Sequence, residues 1–156
     1  MSSEEQALRA LIGRPAREFV KHREPMLLVD TVLDIGAEHI ACCWQITAGS
    51  ALLLPGRGVP SYALIESMAQ CVAVLSGAKA SVAGNPPPLG LLLGTREFRS
   101  QVQYLEQGTV CHALCEEQVR DGHGMGSYAC RVAVDGSTIA SANLAVLELK
   151  GGLDVL

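Results

Sequence analysis

One acidic side chain stands within the most apolar helical stretch of the sequence. The stretch GVPSYALIESMAQCVAVLSGAKA begins at Gly58, and it carries Glu66 near its middle with Gln70 one turn later. The neighbours on that face are mostly alanine, serine and glycine, so we expect the carboxyl group to be partly desolvated. A carboxyl group in such surroundings can exchange a proton near neutral pH, which acid–base chemistry requires. The alternative is an ordinary solvated helix face.

The loop just before this helix supplies a second chemical group. GRGVPS, residues 56–61, places Pro60 and Ser61 in the first helical positions, where backbone N–H groups lack partners within the helix. Such N–H groups can hold a carbonyl oxygen as it gains negative charge. Because Glu66 follows about one and a half turns later, the two features together fit chemistry on a thioester or another acyl carbonyl.

The order of the predicted elements indicates what positions these groups. A helix predicted over 3–13 precedes two strands in PMLLVDTVLDIGAEHIACCWQITA, and the long apolar helix follows over about 60–80. Four strand-like runs joined by short glycine-rich turns come next, which favours antiparallel pairing. A helix that is apolar on nearly every side has to be covered. The sequence therefore predicts an α+β fold in a single domain, 1–156, with one antiparallel sheet wrapped around one central helix.

Charge and composition exclude several classes of function. The 156 residues have a formal net charge of −4, and the few basic residues are scattered. This argues against a nucleic-acid partner and against an anionic membrane surface. The central helix contains Glu66, Gln70 and Lys79 and makes a poor membrane span, and the N-terminal MSSEEQALRALIGR is not a signal peptide. We expect a soluble, cytoplasmic protein.

The six cysteines indicate buried thiols more than a metal or redox site. No CxxC pair occurs, and Cys111 and Cys115 lie too far apart along a strand to share a small ion. No His, Cys, Asp and Glu cluster has ligand spacing, and no GxGxxG loop follows a strand. The sequence thus predicts no metal and no cofactor, with the thiols kept reduced in the cytosol.

Two motifs resemble those of a known enzyme family. KHREPMLLVDTVLDI resembles the opening strand of the 3-hydroxyacyl-acyl-carrier-protein dehydratases, which usually read Pro-His-Arg-x-Pro before an apolar run and Asp. LLPGRGVPSYALIESMAQ resembles their His-Phe-Pro-Gly loop followed by a helical carboxylate and an Ala-Gln pair. GVPSYALIESMAQ together with LGLLLGTREF is similar to a divergent subgroup found with aryl-polyene lipid clusters. The resemblance runs from about Val20 to about Leu149, and it implies a hotdog fold and dimers with the active site at the subunit boundary.

The resemblance assigns roles to individual residues. Glu66 matches the catalytic carboxylate, Gln70 matches the glutamine of the Ala-Gln pair, and Ser61 stands where a glycine N–H faces the thioester oxygen. In the family a loop histidine shares the proton transfers that remove water from a 3-hydroxyacyl thioester. Here Leu53 stands in its place, and leucine cannot move a proton. His22 is the obvious substitute, although a strand-end histidine hydrogen-bonded to its surroundings is the other interpretation.

Further residues receive weaker assignments. Gly58 and Tyr62 are expected to contact substrate at the helix start, and Gln70 further along the helix. Tyr62 or a water is another possible proton carrier. Arg96 either meets a carrier phosphate or faces solvent. The remaining histidines are expected at the surface: His39, His112 and His123.

Three functions remain open on these residues. The first is an acyl-thioester dehydratase with an altered histidine, acting on an acyl carrier protein or coenzyme A thioester. The second is a hotdog thioesterase that needs only Glu66 to activate water and helix-start N–H groups to hold the oxyanion. The third is a subunit without catalytic activity that pairs with an active partner. The partner chain is accordingly an identical chain or a different hotdog subunit.

Overall fold

Six antiparallel strands form one sheet, and a single long helix packs across it. The structure is a computed structural model and describes residues 1–149. Within these residues the order along the main sheet is β1-β2-β6-β7-β8-β4, and β3 pairs with β5 in a small second sheet. The elements are α1 (Ser3–Arg9), β1 (Thr31–Ile35), β2 (His39–Gln45), β3 (Val59–Pro60), α2 (Ala63–Val82), β4 (Leu89–Ser100), β5 (Tyr104–Leu105), β6 (Val110–Arg120), β7 (Met125–Val134) and β8 (Ser137–Leu149). The predicted α+β layout is confirmed.

The central helix α2 is enclosed on most of its circumference. Its buried side chains include Leu64, Met68 and Leu75, which are at most 1% exposed. At Gly77 the helix backbone lies so close to the chain that a Cβ atom would collide with the Phe19 carbonyl oxygen. Only glycine allows this approach, so the segment before β1 can pack directly on the helix.

The N-terminal helix is shorter than predicted because the chain turns to follow the sheet. Helix α1 ends at Arg9 instead of near residue 13. The N–H of Gly13 donates to the carbonyl of Val32, the N–H of Val32 donates to Arg14, and Pro15 bridges Thr31. These bonds cover the outer edge of β1 with residues 13–16.

The first strand also begins later than predicted. The sequence pattern predicts a strand that opens with PMLLVD, residues 25–30, yet β1 starts at Thr31. The polar backbone of Leu28 bonds to helix side chains instead: its N–H donates to Gln70 and its carbonyl accepts from Ser67. Because these groups are satisfied by α2, the segment needs no neighbouring strand.

The opposite edge of the sheet is uncovered among the described residues. Strand β4 is 12 residues long and pairs only with β8 there. Leu92 and Leu93 on this edge are 40% and 49% exposed. A long apolar edge strand is a template for pairing with another chain.

The cysteines are free thiols, and most are buried. All six lie within the described residues, five of them buried and Cys43 half-buried. Burial raises the pKa of Cys111 to about 12, which keeps that thiol protonated and unreactive. The prediction of buried thiols is confirmed. In the described part of the chain, no helix is long and apolar enough to span a membrane.

Candidate functional site

A hollow of about 210 Å³ runs along one face of α2. Successive turns of the helix contribute Glu66, Gln70, Ala73 and Ser76, a spacing that places them in one row. His22 enters from the segment before β1. The facing strands contribute Gly90, Leu91, Leu92, Gly126, Tyr128 and Val146, and the turn before β7 contributes Gly124.

His22 and Glu66 face each other at one end of the hollow. The Nε2 atom of His22 lies 3.9 Å from Oε1 of Glu66, and both side chains are a little over one-third exposed. The His22 Nδ1 atom is buried and has no partner among the described residues. A buried N–H without an acceptor is costly, so the neutral ring is best served by carrying its proton on Nε2, directed at Glu66. The separation is longer than a hydrogen bond, as in many catalytic pairs before substrate binds.

The backbone around His22 is fixed by the next residue. The Arg23 guanidinium donates to the carbonyls of Val20 and His22 at 2.9 and 2.7 Å, and to that of Arg17 at 3.2 Å. These bonds fold the chain back on itself and hold the imidazole over α2.

Gln70 holds Glu66 in a single orientation. The N–H of Leu28 donates to Gln70 Oε1 at 2.6 Å, so the amide nitrogen has to face the other way. That nitrogen donates to the Met26 carbonyl at 2.7 Å and to Glu66 Oε1 at 2.9 Å. Gln70 is 1% exposed, and both ends of its amide are engaged within the chain. These contacts support positioning of Glu66, where the sequence suggested substrate binding.

The backbone N–H of Ser61, which the family resemblance placed near the thioester oxygen, is engaged within the chain. The N–H of Ser61 donates to the Gln103 carbonyl at 2.9 Å, so it is not free to meet an acyl carbonyl. The first helical residue is Ala63, three residues beyond the predicted start, because the extended pair Val59–Pro60 belongs to β3. Within residues 1–149, no acceptor is found for the N–H groups of Tyr62 and Ala63.

The other predicted loop residues lie outside the hollow. The N–H of Gly58 bonds to the Leu54 carbonyl, and Tyr62 is 64% exposed at the surface. Leu53 is half-buried against the core and does not line the hollow, so this loop brings no imidazole to it within one chain.

The structure describes all four histidines, and only His22 lines the hollow. His39 pairs with Asp34 at 3.1 Å within the β1–β2 hairpin, and neither it nor His112 nor His123 lines the hollow. Arg96 is exposed on β4 and does not line it either.

Sequence reasoning missed the residues at the far end of the hollow. Ser76, Arg120, Tyr128 and Glu148 converge there from α2, β6, β7 and β8. Desolvation by burial raises the pKa of Tyr128 to about 12, so its phenol stays neutral. No local pattern marks these residues, because they come from four separate elements, and Arg120 and Glu148, for example, are 28 positions apart in the sequence.

Comparisons with known proteins agree with this architecture. A family model described as "ApeP-like: ApeP dehydratase" matches residues 14–154. The chain is 26% identical over 138 residues to the 3-hydroxyacyl-[acyl-carrier-protein] dehydratase FabZ of Acinetobacter baylyi, covering 86% of this chain and 92% of that protein. It is 29% identical over 137 residues to FabZ of Thiobacillus denitrificans, covering 81% and 90%.

Solved structures give the same result at the level of the fold. A chain of the dehydratase heterocomplex ApeI:P from Xenorhabdus doucetiae superposes with a TM-score of 0.84 at 25% identity, covering 90% of this chain and 95% of that chain. The PaaI protein of E. coli superposes at 0.59 with 10% identity, covering 77% and 79%, and shows the fold alone. The hotdog fold implied by the sequence motifs is confirmed. The family model covers most of the sequence, and the chain therefore belongs to the ApeP-like dehydratase family.

Proposed function

We propose that this chain removes water from 3-hydroxyacyl thioesters carried by an acyl carrier protein, in the synthesis of fatty-acid or aryl-polyene type lipids. The observation that carries the proposal is the His22–Glu66 pair, 3.9 Å apart at one end of an elongated hollow. The family and the FabZ relatives, which are named as 3-hydroxyacyl-[acyl-carrier-protein] dehydratases, support the reaction class.

Glu66 is suited to take the proton next to the thioester carbonyl. Gln70 donates an N–H to its Oε1 atom at 2.9 Å, which fixes the orientation of the carboxyl group. The second oxygen is left to accept the proton. As the bond from the α-carbon to hydrogen breaks, its electron pair forms the new carbon–carbon double bond.

His22 is suited to hold the leaving hydroxyl. Its Nε2 N–H is directed towards Glu66, where the β-carbon of a bound substrate would lie, and it donates a hydrogen bond to the hydroxyl oxygen. Glu66 passes the proton that it took from the α-carbon to this hydroxyl, which leaves as water when the carbon–oxygen bond breaks. The transfer returns Glu66 to the carboxylate and completes the cycle.

A second candidate is a pairing subunit of a hetero-hotdog dehydratase. Leu53 stands where the family carries its loop histidine, and the β4 edge is uncovered among the described residues. The structural relative ApeI:P is a heterocomplex, which supports a different hotdog chain as the partner. In that assembly the partner supplies the loop imidazole, and pairing along β4 would cover the edge.

The same proposal places the chain in the cytoplasm. Its six thiols are free, as is usual in a reducing compartment. The carrier is proposed to be an acyl carrier protein, with coenzyme A as the alternative.

The experiment is an assay of the purified chain with a 3-hydroxyacyl thioester on acyl carrier protein. We expect the enoyl thioester to form, and Glu66→Gln and His22→Ala each to reduce its rate by about 10² to 10⁴ fold. His39→Ala is the matched control, since His39 also pairs with a carboxylate but lies away from the hollow.

The products separate the candidate functions. Release of free thiol without an enoyl product would assign a thioesterase instead. If the enoyl product appears only after a second hotdog subunit is added and persists with His22→Ala, the chain is the pairing subunit.

A further inference from the structure

The hollow beside Glu66 has a continuation further along α2. The helical residues that line it run from Glu66 to Ser76, which is about 15 Å along the helix axis. A second hollow begins at Ser76 and continues past Lys79 to Ala80. The two therefore lie end to end along one helix.

Four residues form the boundary between the two hollows. Each of them lines both: Ser76, Pro88, Arg120 and Glu148. Arg120 Nη2 donates to Glu148 Oε2 at 3.0 Å, which ties the end of β6 to the end of β8 across this boundary. The two side chains are 34% and 19% exposed.

The ion pair is held by further charges rather than standing alone. Arg120 lies 4.0 Å from Glu117, and Lys79 lies 3.8 Å from the same carboxylate. Partly buried charges in a network are fixed in place more firmly than an exposed pair. An apolar chain that entered from Glu66 would meet a charged barrier here, which it could pass only by separating the charges.

The side walls before the barrier leave room for a chain. On β7 a Cβ atom at Gly126 would lie 3.0 Å from the Tyr128 ring, so glycine keeps the space next to that ring open. On α2, two of the lining residues between Glu66 and Ser76 are alanines, Ala69 and Ala73.

We propose that the Arg120–Glu148 pair closes the far end of the acyl hollow and sets the longest acyl chain that this protein accepts. The inference rests on the proposed function, since it assumes that the thioester is held at Glu66. Separating the pair joins the second hollow to the first and admits longer chains.

The test measures binding instead of turnover. Saturated acyl-pantetheine thioethers, lengthened two carbons at a time, are titrated into the chain by calorimetry. In the wild type we expect affinity to rise about fourfold for each added methylene until the chain spans the distance from Glu66 to Ser76, and then to stop rising. In the double variant Arg120→Ala/Glu148→Ala the rise should continue to longer chains.

The same binding series is measured for a variant that should shorten the chain-length limit and for a control variant. Ser76→Leu fills the hollow before the barrier and should end the rise at a shorter chain, even if the double variant unfolds. Arg14→Ala/Glu18→Ala removes an ion pair of 2.7 Å near the N-terminus and should leave the series unchanged.

Two results would overturn the inference. One is an unchanged chain-length limit in both the double variant and Ser76→Leu. The other is the absence of any length-dependent binding in the wild type. Either can occur while the enoyl product still forms from a hydroxyacyl thioester, so failure of this inference and failure of the proposed function are told apart.

Discussion

The N–H of Leu28 donates to the side-chain oxygen of Gln70 across 42 positions of sequence, at 2.6 Å. This bond decides which way the Gln70 amide points, and so it decides that Glu66 receives an N–H. The segment before β1 and the middle of α2 are therefore fastened together by the residue that orients the proposed catalytic carboxylate.

Gln70→Leu is expected to lower the free energy of unfolding by about 2–4 kcal/mol. The variant leaves the buried N–H of Leu28 without a partner, which costs about 1–3 kcal/mol, and it removes the hydrogen bond to the carbonyl of the more exposed Met26, worth about 1 kcal/mol. Urea unfolding measures the change. Gln6→Leu on the exposed face of α1 is the control and should change stability by less than about 0.5 kcal/mol. An equal effect of both variants would contradict the structural role of Gln70.

Gly77→Ala is expected to destabilise the chain by about 1–3 kcal/mol. Alanine is the better helix former, but its Cβ atom would meet the Phe19 carbonyl, and overpacking of this kind outweighs the gain. Thermal unfolding reports the difference. Gly122→Ala, in a turn where no atom lies within 4 Å of the added carbon, should be close to neutral. A stabilised Gly77→Ala would show that the segment before β1 does not press on α2.

Asp121 is expected to stabilise the fold at neutral pH and to lose this effect in acid. Its carboxylate accepts the N–H groups of His123 and Met125, which lower its pKa below the ordinary value. A carboxyl group with a lowered pKa in the folded state binds fewer protons than in the unfolded state. Its contribution is therefore full above the ordinary pKa and disappears as the pH falls through the lowered one.

The comparison for this prediction is between Asp121→Asn and the wild type at two pH values. At neutral pH the wild type should have the higher free energy of unfolding in urea. The difference from the variant should shrink at a pH about one unit below the ordinary aspartate pKa of about 3.9. Asp135→Asn, in another hairpin turn, is the control. A difference that grows on acidification would show that the sign is wrong.

Leu92→Lys/Leu93→Lys is expected to prevent association along β4. Both side chains are exposed on the open edge, and paired charges on an edge strand resist strand addition. Sedimentation of the chain, alone and mixed with a candidate partner subunit, measures the stoichiometry. Val119→Lys, which replaces a 66% exposed valine on β6, should not alter it. An unchanged assembly of the β4 variant would place the interface elsewhere.

The fold was predictable because its signals are local. The apolar run from about Leu64 to Leu75 predicts a helix that is covered on most sides. The short glycine-rich turns predict antiparallel pairing of the strands that they connect. The helix limits were displaced by tertiary contacts: the Gly13 N–H bonds to Val32, and Pro60 is drawn into β3.

The candidate site was predictable only in part. Glu66 stood out as a carboxylate in an apolar helix, and His22 stood out through the family motif and the absence of the loop histidine. The structure brings the two together. The engagement of the Ser61 N–H by Gln103 could not be read from the sequence, because the two lie 42 positions apart and share no motif. Arg120 and Glu148 are also far apart in the sequence and share no motif. In addition, isolated charged residues at strand ends ordinarily face water, so neither residue stood out.

The two edges of the main sheet differ in a way that limits how many chains can join. Residues 13–16 occupy the outer side of β1, whereas β4 is bare within residues 1–149. A second copy that pairs through its own β4 edge has a β1 edge that is likewise covered by residues 13–16. Growth by this route stops at a closed pair, so the protein is protected from polymerising into filaments.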